Sequence, residues 1–384
     1  MIIKGVRGKI IKDSRKESTI EVFIETDVGK FSASAPNGKS KGKHEAKPYV
    51  KSIQKDIESL EKISDYFSDE HIEKFSDLRR IEDVVRGHIG ANTLFALESG
   101  VLKALSKEQK KEIWQLINPG AKKFPRFVGN AVGGGLHSEV PKKPDFQEFL
   151  LIPNTNSPLE NRKINLEAKE KLKQYLKEKD LKFAEKKNDE NAWVTSLNEK
   201  EVLDVLTRLN IQIGIDVASS TFYKRKKYHY KNPPLDRTPE EQMMYLKNLI
   251  KNYSIFYIED PFDEEDFESF AKLLKTNSES LIVGDDLTVT NYKRLEKAIE
   301  MNSINAIIIK PNQNGSLIEV SRVIELAKKK GIKTIFSHRS GETKESILAD
   351  LAFGFGADFI KCGITGEERK VKIDRLVEIE KKFK

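Results

Sequence analysis

The sequence predicts an α/β protein, namely a β/α barrel preceded by a smaller α+β domain. Three observations support this prediction. The second half of the 384-residue chain contains a series of short apolar segments, each ending at a charged or polar side chain. Successive segments are separated by about one helix, one strand and two loops, which is the spacing of a β/α barrel. A barrel needs about 250 residues, so roughly the first third of the chain remains for another domain.

The N-terminal third begins with strands and continues with helices. Between Lys4 and Ala35, three alternating segments are interrupted by turn residues, with a tight turn at 27–29, which predicts a three-stranded antiparallel meander. After a loop rich in Gly and Lys, apolar residues recur at helical spacing from Val50 to Ile63, and further helical patterns follow up to residue 116.

A cluster of helix and strand breakers, NPGAKKFP at 118–125, predicts a domain boundary near residue 120. We therefore expect an N-terminal α+β domain over 1–120 and a barrel over 121–384. The barrel begins irregularly, because 127–138 and 146–153 are both typical of strands and no helical pattern lies between them.

Composition limits the possible function classes. Hydrophobic residues make up 38% and charged residues 33% of the chain, and the net charge is +8 with a pI near 9.1. Because lysines are spread along amphipathic segments together with 60 acidic residues, we expect no nucleic-acid role. The single cysteine, Cys362, allows no internal disulfide, and no stretch is apolar enough for a signal peptide or a membrane span. We expect a cytoplasmic protein without a membrane contact.

Three of the apolar segments end at carboxylates: Asp216, Glu259 and Asp285. The carboxyl ends of parallel barrel strands meet at one mouth, where catalytic groups are placed. Three carboxylates at one mouth repel each other unless a cation holds them, and an all-oxygen ligand set suits Mg²⁺. These residues therefore predict a magnesium site. Lys310 ends the next segment, and a neighbouring cation would lower its pKa so that it can act as a base.

The remaining segments end at His338, Arg339 and Lys361. Arg339 and Ser340, with Lys361, can bind a phosphate and a carboxylate. A metal, a lysine base and anion-binding groups together indicate removal of a proton next to a carboxylate, with the metal neutralising the resulting enolate.

Ten stretches of the sequence resemble the enolase family, in the family's order and over almost the whole chain. They are DSR (13–15), PNGKSKGKHEA (36–46), GGLHS (134–138), QEF (147–149), IGIDVASS (213–220), IEDPF (258–262), GDDLTVTN (284–291), KPNQNGS (310–316), SHRSGET (337–343) and IKCG (360–363). The resemblance implies a barrel that opens ββαα, dehydration of 2-phosphoglycerate to phosphoenolpyruvate, two Mg²⁺ per active site, and a homodimer or octamer.

The resemblance also implies roles for individual residues. Asp216, Glu259 and Asp285 would hold the first Mg²⁺, and Ser40 would bind the second. Lys310 would be the base, the enolase-superfamily pattern that is already well known, and Glu190 the acid paired with Glu148. The implied substrate contacts are Arg339 and Ser340 for the phosphate, Lys361 for the carboxylate, and His137, Gln147 and His338 around the substrate.

The sequence departs from the family pattern at three places. The family's GDEGG around the acid is NDENA at 188–192, which removes flanking glycines. The Asn-Gly-Gly before the histidine is Gly133-Gly134-Gly135, and Lys39 and Lys41 replace small neutral residues in the loop. Two alternatives remain open: another enolase-superfamily lyase or isomerase, such as a sugar-acid dehydratase, and a non-catalytic enolase-like binding protein. The phosphate-binding SHRSGET stretch and the retained metal ligands favour the dehydration of 2-phosphoglycerate.

Overall fold

The computed structural model describes residues 1–39, 42–67 and 70–383. Its strands are β1 (Ile3–Lys12), β2 (Ser18–Thr26), β3 (Gly29–Ser34), β4 (Arg126–Gly133), β5 (Glu148–Ile152), β6 (Trp193–Val194), β7 (Gln212–Asp216), β8 (Tyr223–Lys224), β9 (Lys227–Lys231), β10 (Pro234–Arg237), β11 (Tyr257–Glu259), β12 (Leu281–Gly284), β13 (Ala306–Ile309), β14 (Lys333–Ser337) and β15 (Phe359–Gly363). Its helices are α1 (Ile53–Ile63), α2 (Leu78–Val85), α3 (Ala91–Gln109), α4 (Ile113–Ile117), α5 (Pro158–Lys179), α6 (Glu199–Thr207), α7 (Pro239–Tyr253), α8 (Phe267–Thr276), α9 (Tyr292–Glu300), α10 (Pro311–Asn314), α11 (Leu317–Lys329), α12 (Ile347–Gly354) and α13 (Glu367–Phe383).

The N-terminal strands form the antiparallel meander β1-β2-β3, as the alternating pattern predicts. Helix α3 packs closely on this sheet. A Cβ added at Gly100 of α3 would lie 2.6 Å from Cδ1 of Ile24 on β2, so the glycine allows the close approach of helix and sheet. Most of the apolar residues of α3 are buried.

The second sheet is a closed barrel of eight strands, β4, β5, β7 and β11 to β15, and β15 pairs with β4 to close it. The chain passes through β4 and β5 before α5 and α6, which confirms the ββαα opening. Strand β5 is antiparallel to both of its neighbours. Its first residue, Glu148, is therefore paired with the last residue of β7, Asp216. The reversed strand thus brings the beginning of β5 to the mouth where the other strands end.

The barrel interior is filled by apolar side chains. Nine buried residues from seven strand segments form one cluster, namely Val128, Leu150, Ile152, Tyr257, Val283, Ala306, Ile308, Ile335 and Phe359. Alternate residues such as Ile307 and Ile309 belong instead to the larger core that includes the surrounding helices. Because side chains alternate along a strand and both faces are buried, the middle of most strands is apolar and most polar residues lie near the strand ends.

The loop after β3 is tied to the mouth of the barrel. The backbone of Asn37 exchanges two hydrogen bonds with Gly341, at 2.7 and 2.9 Å. The side chain of Asn312, after β13, donates to Asn92 Oδ1 of α3 at 2.9 Å. These contacts place the N-terminal loop over the strand ends. Among the helices of the described ranges, none has both the length and the apolar character that a membrane span requires.

Candidate active site

The residues predicted from the strand ends are brought together at the mouth. Asp216 ends β7, Glu259 ends β11, and Asp285 and Lys310 directly follow β12 and β13. Lys361 lies within β15 and faces the same centre. These five side chains form one polar group at the barrel mouth, as the sequence predicts.

Lys361 is the cationic centre of this group. Its Nζ lies 2.9 Å from Asp216 Oδ2, 2.8 Å from Glu259 Oε2 and 3.2 Å from Glu148 Oε2. All four side chains are at most 4% exposed. Burial by itself lowers the pKa of Lys361, but Asp216, Glu148 and Glu259 raise it well above its ordinary value. The ammonium group therefore remains charged and neutralises part of the carboxylate charge.

Lys310 forms an ion pair with Asp285 through Nζ and Oδ2. Burial lowers the pKa of Lys310, but this carboxylate raises it above its ordinary value. Asp285 bonds the ammonium group directly and stabilises its charged form. The lowered pKa that we expected for this base requires a cation beside it, and that expectation stays a prediction.

The carboxylates have the chemistry of a metal site. Burial and the neighbouring Asp216 raise the pKa of Glu259 to about 8. The second oxygen of Glu259, Oε1, is buried and has no hydrogen-bond partner. A buried carboxylate oxygen without a partner is costly in protein interiors, and a hard cation would satisfy it.

Within the described ranges, two groups of three acidic or histidine side chains have ligand atoms within 4.8 Å of one another. They are His137, Glu148 and Glu190, and Asp260, Asp285 and Asp286. The predicted trio of Asp216, Glu259 and Asp285 is not one of these groups. Lys361 and Lys310 stand between its members and hold their oxygens.

Asp260 and Asp286 were missed by the sequence analysis. Asp260 accepts hydrogen bonds from the backbone N–H groups of Asp285, at 3.0 Å, and of Asp286, at 2.8 Å. It therefore fixes the turn that presents Asp285. The available signal was the doubled acidic residue in IEDPF and GDDLTVTN, where the second acid of each pair follows a predicted ligand.

Glu190 lies between two histidines on the other side of Glu148. Its Oε1 is 3.5 Å from His137 Nδ1, its Oε2 is 3.5 Å from His338 Nε2, and Asn130 Nδ2 donates to Oε2 at 2.9 Å. His137 Nδ1 is also 3.6 Å from Glu148 Oε1. Gln147, just before β5, is buried, and its backbone N–H donates to Asp216 O at 2.9 Å.

The two glutamates of this pair are in opposite protonation environments. Burial and the charge of Glu190 raise the pKa of Glu148 well above its ordinary value. Burial also acts to raise the pKa of Glu190, but His338 and His137 hold it well below its ordinary value. Burial and charge thus favour the neutral form of Glu148, whereas the resemblance makes Glu190 the acid. Carboxyl groups whose pKa values are driven apart are typical of acid and base partners.

The altered segment 188–192 keeps the backbone turn that glycine would allow. Asn191, at one of the lost glycine positions, has φ +62°. Asparagine tolerates this left-handed conformation better than most residues. The substitution therefore leaves Glu190 buried at 2% exposure and within reach of both histidines.

The predicted phosphate-binding residues contact the N-terminal loop. Arg339 Nη2 donates to both oxygens of Glu45, at 3.0 and 3.1 Å. The Oγ of Ser340 accepts from Lys39 N at 2.8 Å and from Arg15 Nη1 at 3.1 Å. A Cβ at Gly38 would lie 1.9 Å from Arg339 Nη2, so only glycine allows this loop to approach the guanidinium.

Sequence reasoning did not single out Glu45, although it lies in the loop stretch that resembles the family. Ser40, the predicted ligand of a second metal, and Lys41 lie outside the described residues. A cavity of about 570 Å³ opens beside the loop. Its lining includes Lys39, Lys186 and Lys187 together with Glu139 and Asp189, so basic side chains are in slight excess and favour anions. His137 also lines the cavity and lies 3.5 Å from Glu190.

Comparison with known proteins identifies the family of the chain. The family described as "Enolase, C-terminal TIM barrel domain" matches residues 122–384. The chain is 36% identical to the enolase of Methanosphaera stadtmanae, with 100% of this chain and 97% of that protein covered. It is 34% identical to the enolase of Pyrobaculum aerophilum, with 94% and 91% covered, and 35% identical to that of Sulfolobus acidocaldarius, with 98% and 95% covered. The chain therefore belongs to the enolase family of hydro-lyases.

Proposed function

We propose that this enolase catalyses the reversible, Mg²⁺-dependent dehydration of 2-phosphoglycerate to phosphoenolpyruvate in glycolysis and gluconeogenesis. One observation carries the proposal. Lys361 contacts Asp216 and Glu259 on one side and Glu148 of the acid pair on the other. Metal-binding and proton-transferring groups therefore belong to a single centre, as a dehydration next to a carboxylate requires.

The proposed metal is Mg²⁺, held by Asp216, Glu259 and Asp285, with a second ion bound by Ser40 in the loop. The acidic groups and the enolase relatives support a metal-dependent enzyme. When bound, the metal neutralises the negative charge that develops on the substrate carboxylate. The unpartnered oxygen of Glu259 and its pKa near 8 support a cation at this place.

The chain's own residues then divide the proton transfers. Lys310 removes the proton from carbon 2. A bound cation would share the carboxylate of Asp285 and weaken its ion pair with Lys310, which would lower the pKa of the lysine. Glu190, with its partner Glu148, assists departure of the 3-hydroxyl. His338 and His137 lie 3.5 Å from the Glu190 carboxyl group and orient it.

The remaining residues bind and orient the substrate. Arg339 and Ser340 take the phosphate, Lys361 takes the carboxylate, and His137, Gln147 and His338 enclose the reacting carbons. Both carboxylate oxygens of Glu45 now accept from Nη2 of Arg339, an anionic contact that a substrate phosphate would replace. We extend the proposal to two domains, over 1–120 and 121–384. We also propose a homodimer or octamer, which gel filtration would test, and a cytoplasmic location, which cell fractionation would test.

The reaction is tested by enol absorbance. With 2-phosphoglycerate and Mg²⁺, the purified protein should show a metal-dependent rise, and chelation should abolish it. A sugar acid without phosphate should give no product. If 2-phosphoglycerate is inert and a sugar acid reacts, the proposal is wrong and another reaction of the superfamily takes its place.

The two proton-transfer steps are separated by isotope exchange. In heavy water with Mg²⁺, Glu190→Gln should still exchange the carbon 2 hydrogen, while forming almost no phosphoenolpyruvate. Lys310→Ala should do neither. If Glu190→Gln dehydrates normally and Glu148→Gln does not, the proton comes from Glu148, as the direction of its pKa shift would allow.

The metal site is tested by titration calorimetry on Asp285→Asn, which removes one anionic oxygen from the proposed ligand set. We expect weaker Mg²⁺ binding. An unchanged affinity would place the metal elsewhere.

A further inference from the structure

Asn188 closes the loop that carries Glu190. Its side-chain Oδ1 accepts hydrogen bonds from the backbone N–H groups of Glu190, at 3.0 Å, and Ala192, at 2.9 Å. Its own backbone N–H donates to Ala192 O at 2.9 Å, and its carbonyl accepts from Asn191 N at 3.0 Å. One side chain thus satisfies two donors on either side of the turn, and glycine at this position could supply neither bond.

The side chain of Asn188 occupies space that Gly133 leaves. A Cβ added at Gly133, the last residue of β4, would lie 2.1 Å from Asn188 Nδ2 and 2.9 Å from its Cγ. The amide nitrogen of Asn188 is buried against this glycine and makes no hydrogen bond. The asparagine therefore fits only because position 133 has no side chain.

These two positions are both departures from the family pattern noted above. The pattern has asparagine at the position of Gly133 and glycine at the position of Asn188, and this chain has the reverse. The structure places the two exchanged residues in direct contact. An exchange of the large and the small residue between contacting positions keeps the total volume, which packed interiors tolerate far better than a single enlargement.

The other end of the loop is held independently. Lys169 of α5 donates through Nζ to the carbonyl of Asn191 and, at 2.5 Å, to Thr365 Oγ1. Lys169 is 1% exposed. Because this tie secures Asn191, loss of the Asn188 side chain would release mainly the segment that begins the turn and bears Glu190.

We infer that Asn188 is a positioning residue for Glu190, and that Gly133 is the compensating change that makes this role possible. The inference rests on the proposed function, because it assigns Asn188 to the step that Glu190 performs. Loss of the two hydrogen bonds displaces the Glu190 carboxyl group, whereas the Lys310 side of the site is untouched.

The test compares dehydration with exchange at carbon 2 in four variants. Asn188→Ala should lower the kcat for phosphoenolpyruvate formation at least about tenfold, a part of what a positioned acid contributes. Its KM and its rate of deuterium exchange should stay within about twofold of wild type, since Lys310 performs that step. Gly133→Asn should show a similar or larger loss of dehydration. The double variant Gly133→Asn/Asn188→Gly, which restores the family arrangement, should recover to within about threefold of wild type.

Asn198→Ala is the matched control. Asn198 also accepts a backbone hydrogen bond, from Glu201 N at 3.1 Å, but it caps α6. Within the described part of the chain, its side chain forms no hydrogen bond to a residue of the site. We expect a small loss of stability and an unchanged ratio of dehydration to exchange.

The outcomes separate the inference from the proposed function. A wild-type ratio of dehydration to exchange in Asn188→Ala would overturn the positioning role. A double variant no more active than Gly133→Asn would overturn the compensating role of Gly133. If Gly133→Asn fails to fold, a double variant that also fails to fold or has no activity would overturn it in the same way. Wild-type protein that forms no phosphoenolpyruvate would instead overturn the proposed function, and this inference with it.

Discussion

Replacing Lys361 by methionine should destabilise the barrel in a way that Mg²⁺ partly reverses. The ammonium group contacts three carboxylates at 2.8 to 3.2 Å in a centre where each side chain is at most 4% exposed. Methionine keeps the length and apolar stem of lysine but leaves Asp216, Glu148 and Glu259 without their cation. Removing one partner of a buried ion pair costs about 3–5 kcal/mol, because uncompensated charge remains.

A divalent cation bound by Asp216 and Glu259 would replace part of that missing charge. Ligand at about 100 times its Kd stabilises the folded state by about 2.7 kcal/mol. Without a competing ammonium group, the carboxylates of K361M should bind the cation at least about fivefold more tightly than those of the wild type, which corresponds to about 1 kcal/mol. The difference in free energy of unfolding between wild type and K361M should therefore be smaller in Mg²⁺ than in chelator, by about 1 kcal/mol or more.

The assay is urea unfolding of both proteins in chelator and in saturating Mg²⁺. Lys372→Met is the control, since Lys372 is also buried and ion-paired, 2.8 Å from Glu342, but contacts none of the three carboxylates. The loss in free energy of unfolding caused by Lys372→Met should be the same in chelator and in Mg²⁺. If the cost of K361M is equally insensitive to Mg²⁺, the carboxylates around Lys361 do not bind the metal, and the argument fails.

Three further predictions concern the substrate, the loop and the pH dependence of stability. Arg339→Lys removes the planar fork that can bind two phosphate oxygens, so kcat/KM for 2-phosphoglycerate should fall at least about tenfold, or about 1.4 kcal/mol; unchanged steady-state kinetics would remove the phosphate role. Replacing Lys39 and Lys41 by Ala should lower kcat/KM more at low than at high ionic strength, because salt already screens long-range attraction, and an equal loss at all salt concentrations would exclude steering. Burial raises the pKa of Glu199 from 4.5 to about 7, so the folded state holds a proton that the unfolded chain releases, and stability present below pH 4.5 is lost as the pH rises to 7. Glu199→Gln can still accept the hydrogen bond from Asp145 N. Its free energy of unfolding should therefore exceed that of the wild type by up to about 3 kcal/mol at pH 8 and equal it near pH 4. The same difference between the two proteins at both pH values would refute this prediction.

The barrel and the strand-end residues could be predicted because the underlying physics is periodic. Parallel strands buried on both faces form short apolar segments, so the charged residues that end or interrupt them stood out in the sequence, namely Asp216, Glu259, Asp285, Lys310 and Lys361. The irregular start at β4 and β5 was also visible, since no helical pattern lies between the two segments.

What the sequence could not show is how charges pair once the chain is folded. The spacing of strands predicts that Lys310 and Lys361 reach the mouth, but the ion pairs with Asp285 and with Asp216 depend on distances of a few ångströms. Burial lowers the pKa of Lys310, but the pairing with Asp285 raises it above its ordinary value. Asp260 was missed for a related reason, because its role is to accept two backbone N–H groups, and that role leaves no periodic pattern.

The position of Lys361 on the last strand has a consequence for synthesis of the chain. Strand β15 both closes the ring by pairing with β4 and carries the ammonium group that neutralises Asp216, Glu148 and Glu259. A nascent chain that ends before β15 has two unpaired sheet edges and a mouth of mutually repelling carboxylates. Ring closure and charge neutralisation therefore wait for the same C-terminal segment.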